Sequence, residues 1–247
     1  MTSFDFGKGP VPAHQHPNGG GWVADTAKVA DTAYVGPDAW VYEFAQVSEF
    51  ARVDEFARVF GEARVFGDAQ VYGNAQVYGR SYVYENSQVY DYASVSENAD
   101  ISGYAWVYGD ALVSGNANVF GYAQVYDNAL VYGNAQVYDV ARVYENARVY
   151  EFARVYGHAR VFGDARVYEF ARVYGHARVF GYAQVYGDAK VSGDAQVYGS
   201  TQVYGNAWVS GYAIVCGHAR VHGNAIVSQK AQVFGDAIVA GNDDVVN

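Results

Sequence analysis

The chain has 247 residues, of which 51% are hydrophobic and 17% aromatic, and its formal net charge is -10. Val and Ala dominate, with 40 and 37 residues, against 4 Ile, 2 Leu and 1 Met, so the aliphatic stripes that helical bundles and α/β folds need are not there. Only 17% of residues are charged, too few for a disordered acidic tail. The acidic balance argues against general nucleic-acid binding, and apolar runs of a few residues exclude a membrane-spanning helix.

The first stretch, residues 1–21, stands apart in composition. It holds Pro10, Pro12 and Pro17, and the fourth proline, Pro37, follows soon after. It reads as an N-terminal cap or attachment arm, with residues 22–247 as the main domain. Met1-Thr2-Ser3-Phe4-Asp5 shows no basic segment followed by an apolar one, so no signal peptide is expected and synthesis is expected in the cytoplasm. His14 and His16 are two apart, a spacing that can hold a metal when a strand points both rings the same way.

From Val23 to Val245 a valine recurs at every sixth position, with Ile101 the single substitution. Two positions earlier runs a row of alanines from Ala27 to Ala237, interrupted by Ser81, Ser87 and Thr201. Residues two apart lie on one face of a strand. The residue between them is mostly Gln or Arg, as at Gln70, Arg142 and Gln196, and such side chains do not belong in a narrow interior. Ala and Val therefore face in, while Gln, Arg and the Tyr that follows valine face out. The last two positions form a corner: commonly Gly first (Gly67, Gly73), then Asn, Asp or His (Asn74, Asp164, His158), types that tolerate left-handed or tight geometry.

Residues 151–168 and 169–186 agree at all but two of their positions, which sets an 18-residue super-period of three hexads. The predicted fold is all-β: a triangular, single-chain parallel β-helix of about 12–13 coils and roughly 60 Å at the usual strand spacing. Each coil buries about three Val and three Ala, too little to offset its own ordering entropy, so stability must come from stacking. Near the C-terminus Asp243 takes the alanine slot between Asn242 and Asp244, a polar stop.

Residues 18 apart should stack. The position after valine then gives an aromatic ladder of Tyr72, Tyr90, Tyr108, Tyr126, Tyr144, Phe162, Phe180 and Tyr198. A second ladder holds Tyr132, Tyr150, Tyr168, Tyr186 and Tyr204, and a third Phe120, Tyr138, Tyr156 and Tyr174. These either stiffen the corners or form a binding surface for carbohydrate, another subunit or another protein. A basic belt, Arg142, Arg148, Arg154, Arg160, Arg166, Arg172 and Arg178, circles all three faces. Glu145, Glu151, Asp164 and Glu169 are placed to neutralise it, and an anion or partner site is the other reading. Phe44, Phe50, Phe56, Phe152 and Phe170 sit at corners, where packing between subunits is expected.

The repeat resembles the hexapeptide-repeat, left-handed parallel β-helix superfamily, and most of all YdcK-like repeat proteins, whose runs share the form G-N-A-x-V-Y-G-D-A-x-V. The left hand is implied by that resemblance; chain chirality alone favours right-handed crossovers. His16-Pro17-Asn18-Gly19-Gly20-Gly21-Trp22, ahead of such repeats, is also similar to proteins of tailed bacteriophages.

Many hexapeptide-repeat proteins are trimeric acyltransferases with a histidine as general base, near a subunit boundary and a loop extruded from the coil. Here no loop interrupts the hexads. The candidates for that role are His158 and His176, which are 18 apart, and His218, near His222 and the single cysteine Cys216. A single cysteine excludes an intramolecular disulfide and a CxxC metal site. The sequence therefore points to a non-enzymatic rigid β-solenoid for structure, display or binding, such as a virion-associated or surface component. An acyl-CoA-dependent acyltransferase acting as a trimer is the alternative. The expected partners are a second copy of the chain (a homotrimer is the natural form), other structural proteins or carbohydrate. No cofactor, metal, nucleic acid or membrane span is expected.

Overall fold

The computed structural model describes residues 2–246, which form strands, turns and bends with no helix. They fall into two compact units, Met1–Gly121 and Tyr122–Asn247.

The first unit opens with β1 (Ser3–Asp5) and β2 (Pro10–Gln15), an antiparallel pair in which Phe4 faces Val11. Strand β2 then pairs antiparallel with β3 (Trp22–Ala24), placing His14 opposite Val23. The hairpin thus extends one sheet of the helix rather than standing free. Its alternation puts Phe4 on Trp22 at 4.5 Å and Phe6 on Tyr42 at 4.9 Å between ring centroids. The 16–21 loop covers the edge of β5 (Tyr34–Val35), which follows β4 (Lys28–Val29): Gly21 N donates to Val35 O, and Asn18 Nδ2 donates to Ala33 O at 2.8 Å. Gly19, at φ +116°, is required there, because a Cβ would sit 2.2 Å from Val35 O.

From β3 onward the strands are short, most of them the two residues x-Val of a hexad, and within each unit they pair in parallel with strands three places away in the chain. Val41 lies against Val59, and that against Val77. Three sheets result, one per face. The second unit has three sheets built in the same way, with Val143 against Val161 and Val161 against Val179 on one of them. The expected fold class, an all-β triangular parallel β-helix with 18-residue coils, is the one observed. Through most of both units the Val and Ala rows are fully buried, including Ile101. Ser87, in the alanine row, keeps its hydroxyl satisfied by donating to Tyr84 O at 2.7 Å and Ile101 O at 3.3 Å.

The corners depart from the sequence reading in one respect. Among the described residues, from the corner at Glu43 onward the left-handed residue is the first of the two, never the Asn, Asp or His that follows. Glycine holds that place at most corners, for example Gly157 at φ 69°, but Glu, Asp or Gln holds it at twelve, among them Glu145 at φ 58°. A left-handed L-residue costs about 1–2 kcal/mol. The compensation is visible one coil on. The amides of Gly157, Gly163 and Glu169 have no backbone acceptor. They donate instead to Asp139 Oδ2, Glu145 Oε2 and Glu151 Oε2 at 3.0, 2.8 and 3.0 Å. Glu43, Glu55, Glu85 and Asp91 do the same in the first unit, for Gly61, Gly73, Gly103 and Gly109.

Candidate functional site

Within each unit the aromatic ladders form as spaced. In the first unit Tyr72, Tyr90 and Tyr108 stack at 4.9 and 4.8 Å. In the second, Tyr126, Tyr144, Phe162, Phe180 and Tyr198 follow one another at 4.7–4.9 Å with planes within 11° of parallel. Another ladder runs from Tyr132 through Tyr150, Tyr168, Tyr186 and Tyr204 to His222, which takes the next rung at 4.8 Å. Tyr138, Tyr156 and Tyr174 form a third. Cys216 stands one coil beyond Tyr198, and their hydrogen bond is the main cause that lifts the Tyr198 phenol above its ordinary value.

Stacking this close covers both faces of each internal ring. What a ladder offers outward is ring edges and hydroxyls, and the rings are half-buried. Desolvation accordingly raises the Tyr168 phenol to about 12, with Tyr150 and Tyr186 adding to it. Most of the highly exposed aromatics are instead second corner residues: Phe44, Phe50, Phe56, Tyr92 and Tyr104 in the first unit, and Tyr122, Phe152, Phe170, Tyr182 and Tyr212 in the second; Phe234, which follows a valine, is the exception. Phe152 stacks on Phe170 at 5.1 Å.

The arginine belt resolves into three columns. Arg142, Arg160 and Arg178 are in register on one sheet, Arg148 and Arg166 on the next, and Arg154 and Arg172 on the third, where Lys190 continues the column. The expected neutralisation by nearby acids does not form. Among the described residues the ion pairs are Lys8–Glu43, His14–Asp25, Arg52–Asp54 and Arg80–Glu62, and none involves the belt. Glu145 and Glu151 are turned to backbone amides instead. In the first unit, by contrast, Arg52 lies over Tyr34 and Arg58 over Trp40, at 4.1 and 4.4 Å.

His158 and His176 stack at 4.7 Å, 8° from parallel. With Arg142, Arg160 and Arg178 they line a groove of about 800 Å³ completed by Val140, Asp194, Gln196 and Tyr212. Neither imidazole makes a hydrogen bond among the described residues, so no carboxylate orients either ring as a general base would require. His218 belongs to a different corner and does not line the groove. In the arm, His14 Nδ1 meets Asp25 Oδ1 at 2.8 Å, while the buried His16 Nδ1 bonds Asn18 O at 3.2 Å. The two rings are engaged apart, and no group of three His, Cys, Asp or Glu suited to a metal occurs among the described residues.

Five stretches, 123–139, 153–169, 171–185, 183–199 and 202–217, match the family described as YdcK β-solenoid repeat. Over these stretches the sequence is similar to YdcK β-solenoid repeats. The groove and the arginine columns lie largely within these matched repeats. No curated protein matches the sequence. Among solved structures, UDP-N-acetylglucosamine O-acyltransferase from Moraxella catarrhalis aligns over 80% of this chain at 11% identity with a TM-score of 0.21. The chain covers 65% of that protein's length. At this TM-score the alignment says nothing about the activity of this chain.

Proposed function

We propose that this chain is a non-enzymatic, rigid β-solenoid that serves as a structural, display or binding element. The observation that carries the reading is the unbroken hexad pattern from Val23 to Val245. Extruded loops are where a solenoid builds a catalytic pocket, and here every corner is two residues long. The side faces are flat arrays of Gln, Arg and half-buried rings, suited to holding a surface at fixed spacing. In this reading residues 1–21 serve as an end cap or attachment arm, as a virion-associated or surface component would need. The exposed pair Phe152 and Phe170 takes part in self-association, with a homotrimer as the natural closed form.

The test is turnover. The full chain is incubated with acetyl-CoA and a panel of amine and hydroxyl acceptors, and thiol release is followed. No release above the uncatalysed rate is the expected result. Sustained release that disappears in a His158→Asn, His176→Asn double variant would replace this reading with the acyltransferase one.

A further inference from the structure

We infer that the groove along Arg142, Arg160 and Arg178 binds a short chain of phosphoryl groups, about two or three long. The chain as a whole is acidic, at -10, yet this groove gathers three arginines and two histidines with a single acid, Asp194. The arginines are register neighbours on one sheet, so their guanidinium groups repeat at about 4.8 Å. The imidazoles run beside them at 4.7 Å. None of the three arginines has an ion-pair partner among the described residues, because the nearby acid Glu145 is held by the Gly163 amide. Stacked like charges repel, and no ion pair among the described residues relieves them. An anion bridging successive guanidinium groups would, through charge-assisted bonds.

The array also has ends. Beyond Arg178 the column continues as Gln196, and beyond His176 as Asp194. Below His158 the groove is lined by Val140. The cationic stretch therefore spans three coils, about 10 Å between its outer arginines. Asp194 repels a longer polyanion, which is why a nucleic acid or a long polyphosphate is the poorer fit. The neighbouring columns are less suited: Arg148 and Arg166 give way to Gln184 after two rungs, and Arg154 and Arg172 neighbour a corner bearing the exposed Phe152 and Phe170. Such a phosphoryl chain could be free or the tail of a nucleotide. In the second case the sugar hydroxyls reach Asp194 and Gln196, and the base reaches the exposed Tyr212.

The experiment is calorimetric titration of the full chain at low salt with inorganic triphosphate, ATP and monophosphate. Saturable triphosphate binding is expected, at least ten-fold tighter than monophosphate and weakened by added salt. Arg160→Gln should weaken it about ten-fold or more, while Arg148→Gln, the same charge change on another face, leaves it unchanged. ATP binding tighter than triphosphate, with the gain lost in Tyr212→Ala, assigns the groove to a nucleotide tail. Equal affinities assign it to the free oligophosphate. Absence of saturable binding by both ligands overturns the inference, as does a loss in Arg148→Gln equal to that in Arg160→Gln.

Discussion

The carboxylates at left-handed corners can be separated into a cost and a gain, and Glu145 is the position to do it. Its backbone sits at φ 58°, which costs an L-residue about 1–2 kcal/mol. Its Oε2 accepts from Gly163 N at 2.8 Å, a bond to a charged group worth about 1.5 kcal/mol at the low end of the usual range, as suits an exposed site. Glu145→Ala keeps the strain and loses the bond, so the coil should lose about 1–1.5 kcal/mol. Glu145→Gly loses the bond and the strain together and should come out within about 0.5 kcal/mol of the parent. The Gly163 amide reports the bond directly. Its hydrogen exchange should quicken about five- to ten-fold in both variants, because the acceptor is gone from both. Melting should separate them, with Ala below Gly and Gly close to the parent. An unchanged Gly163 exchange rate in Glu145→Ala would refute the account, and so would equal melting of the Ala and Gly variants.

Further outcomes follow from the same geometry. Tyr168→Ala removes two stacked neighbours at 4.9 Å and a hydrogen bond to Gln184 at 3.3 Å, and should cost about 3 kcal/mol in denaturant unfolding. Tyr182→Ala, at an exposed corner, should cost under about 0.5 kcal/mol by the same measurement. The Tyr168 phenol is raised in the fold from 10.0 to about 12, chiefly by desolvation. The folded state therefore holds that proton more tightly than the unfolded chain does. Its contribution to stability is intact below pH 10 and is lost as pH climbs from 10 to 12; a denaturation midpoint flat across that window would contradict this. Ser87→Ala should be nearly neutral, within about 0.5–1 kcal/mol. Tyr84 O and Ile101 O, which accept from the hydroxyl, also accept backbone amides. The Phe152→Ser, Phe170→Ser pair should leave melting within about 0.5 kcal/mol of the parent and shift the species seen by light scattering toward the monomer.

The fold was legible because its two inward rows are nearly invariant in spacing. Val and Ala two apart define a strand face, and the near-repeat of residues 151–168 at 169–186 sets three corners per coil. The ladders followed from the same arithmetic. The groove was half legible: the 18-residue step stacks His158 on His176, but that Arg142, Arg160 and Arg178 share their cavity depends on the width of a corner. The destiny of the acids was not legible. Glu145 and Glu151 stand close to arginines along the coil, and charge alone pairs them. The competing partner is an orphan amide one coil away, which exists only because the corner turns through a left-handed residue. The strands within residues 1–21 were not read from the sequence, although the alternation of Ser3, Phe4, Asp5 and Phe6 is a strand signal; its rings seat on Trp22 and Tyr42.

The interchangeable coils of the second unit have a genetic consequence. A segment such as 151–168 makes its ladder bonds only to the turns on either side, and its successor is almost a copy of it. Replication slippage or unequal exchange in phase with 18 codons would add or delete one whole turn and rejoin every register, whereas an event out of phase would misalign every residue beyond it. The length of such a protein is thus free to change in single quanta without redesign, which makes it a ruler that a lineage can re-cut.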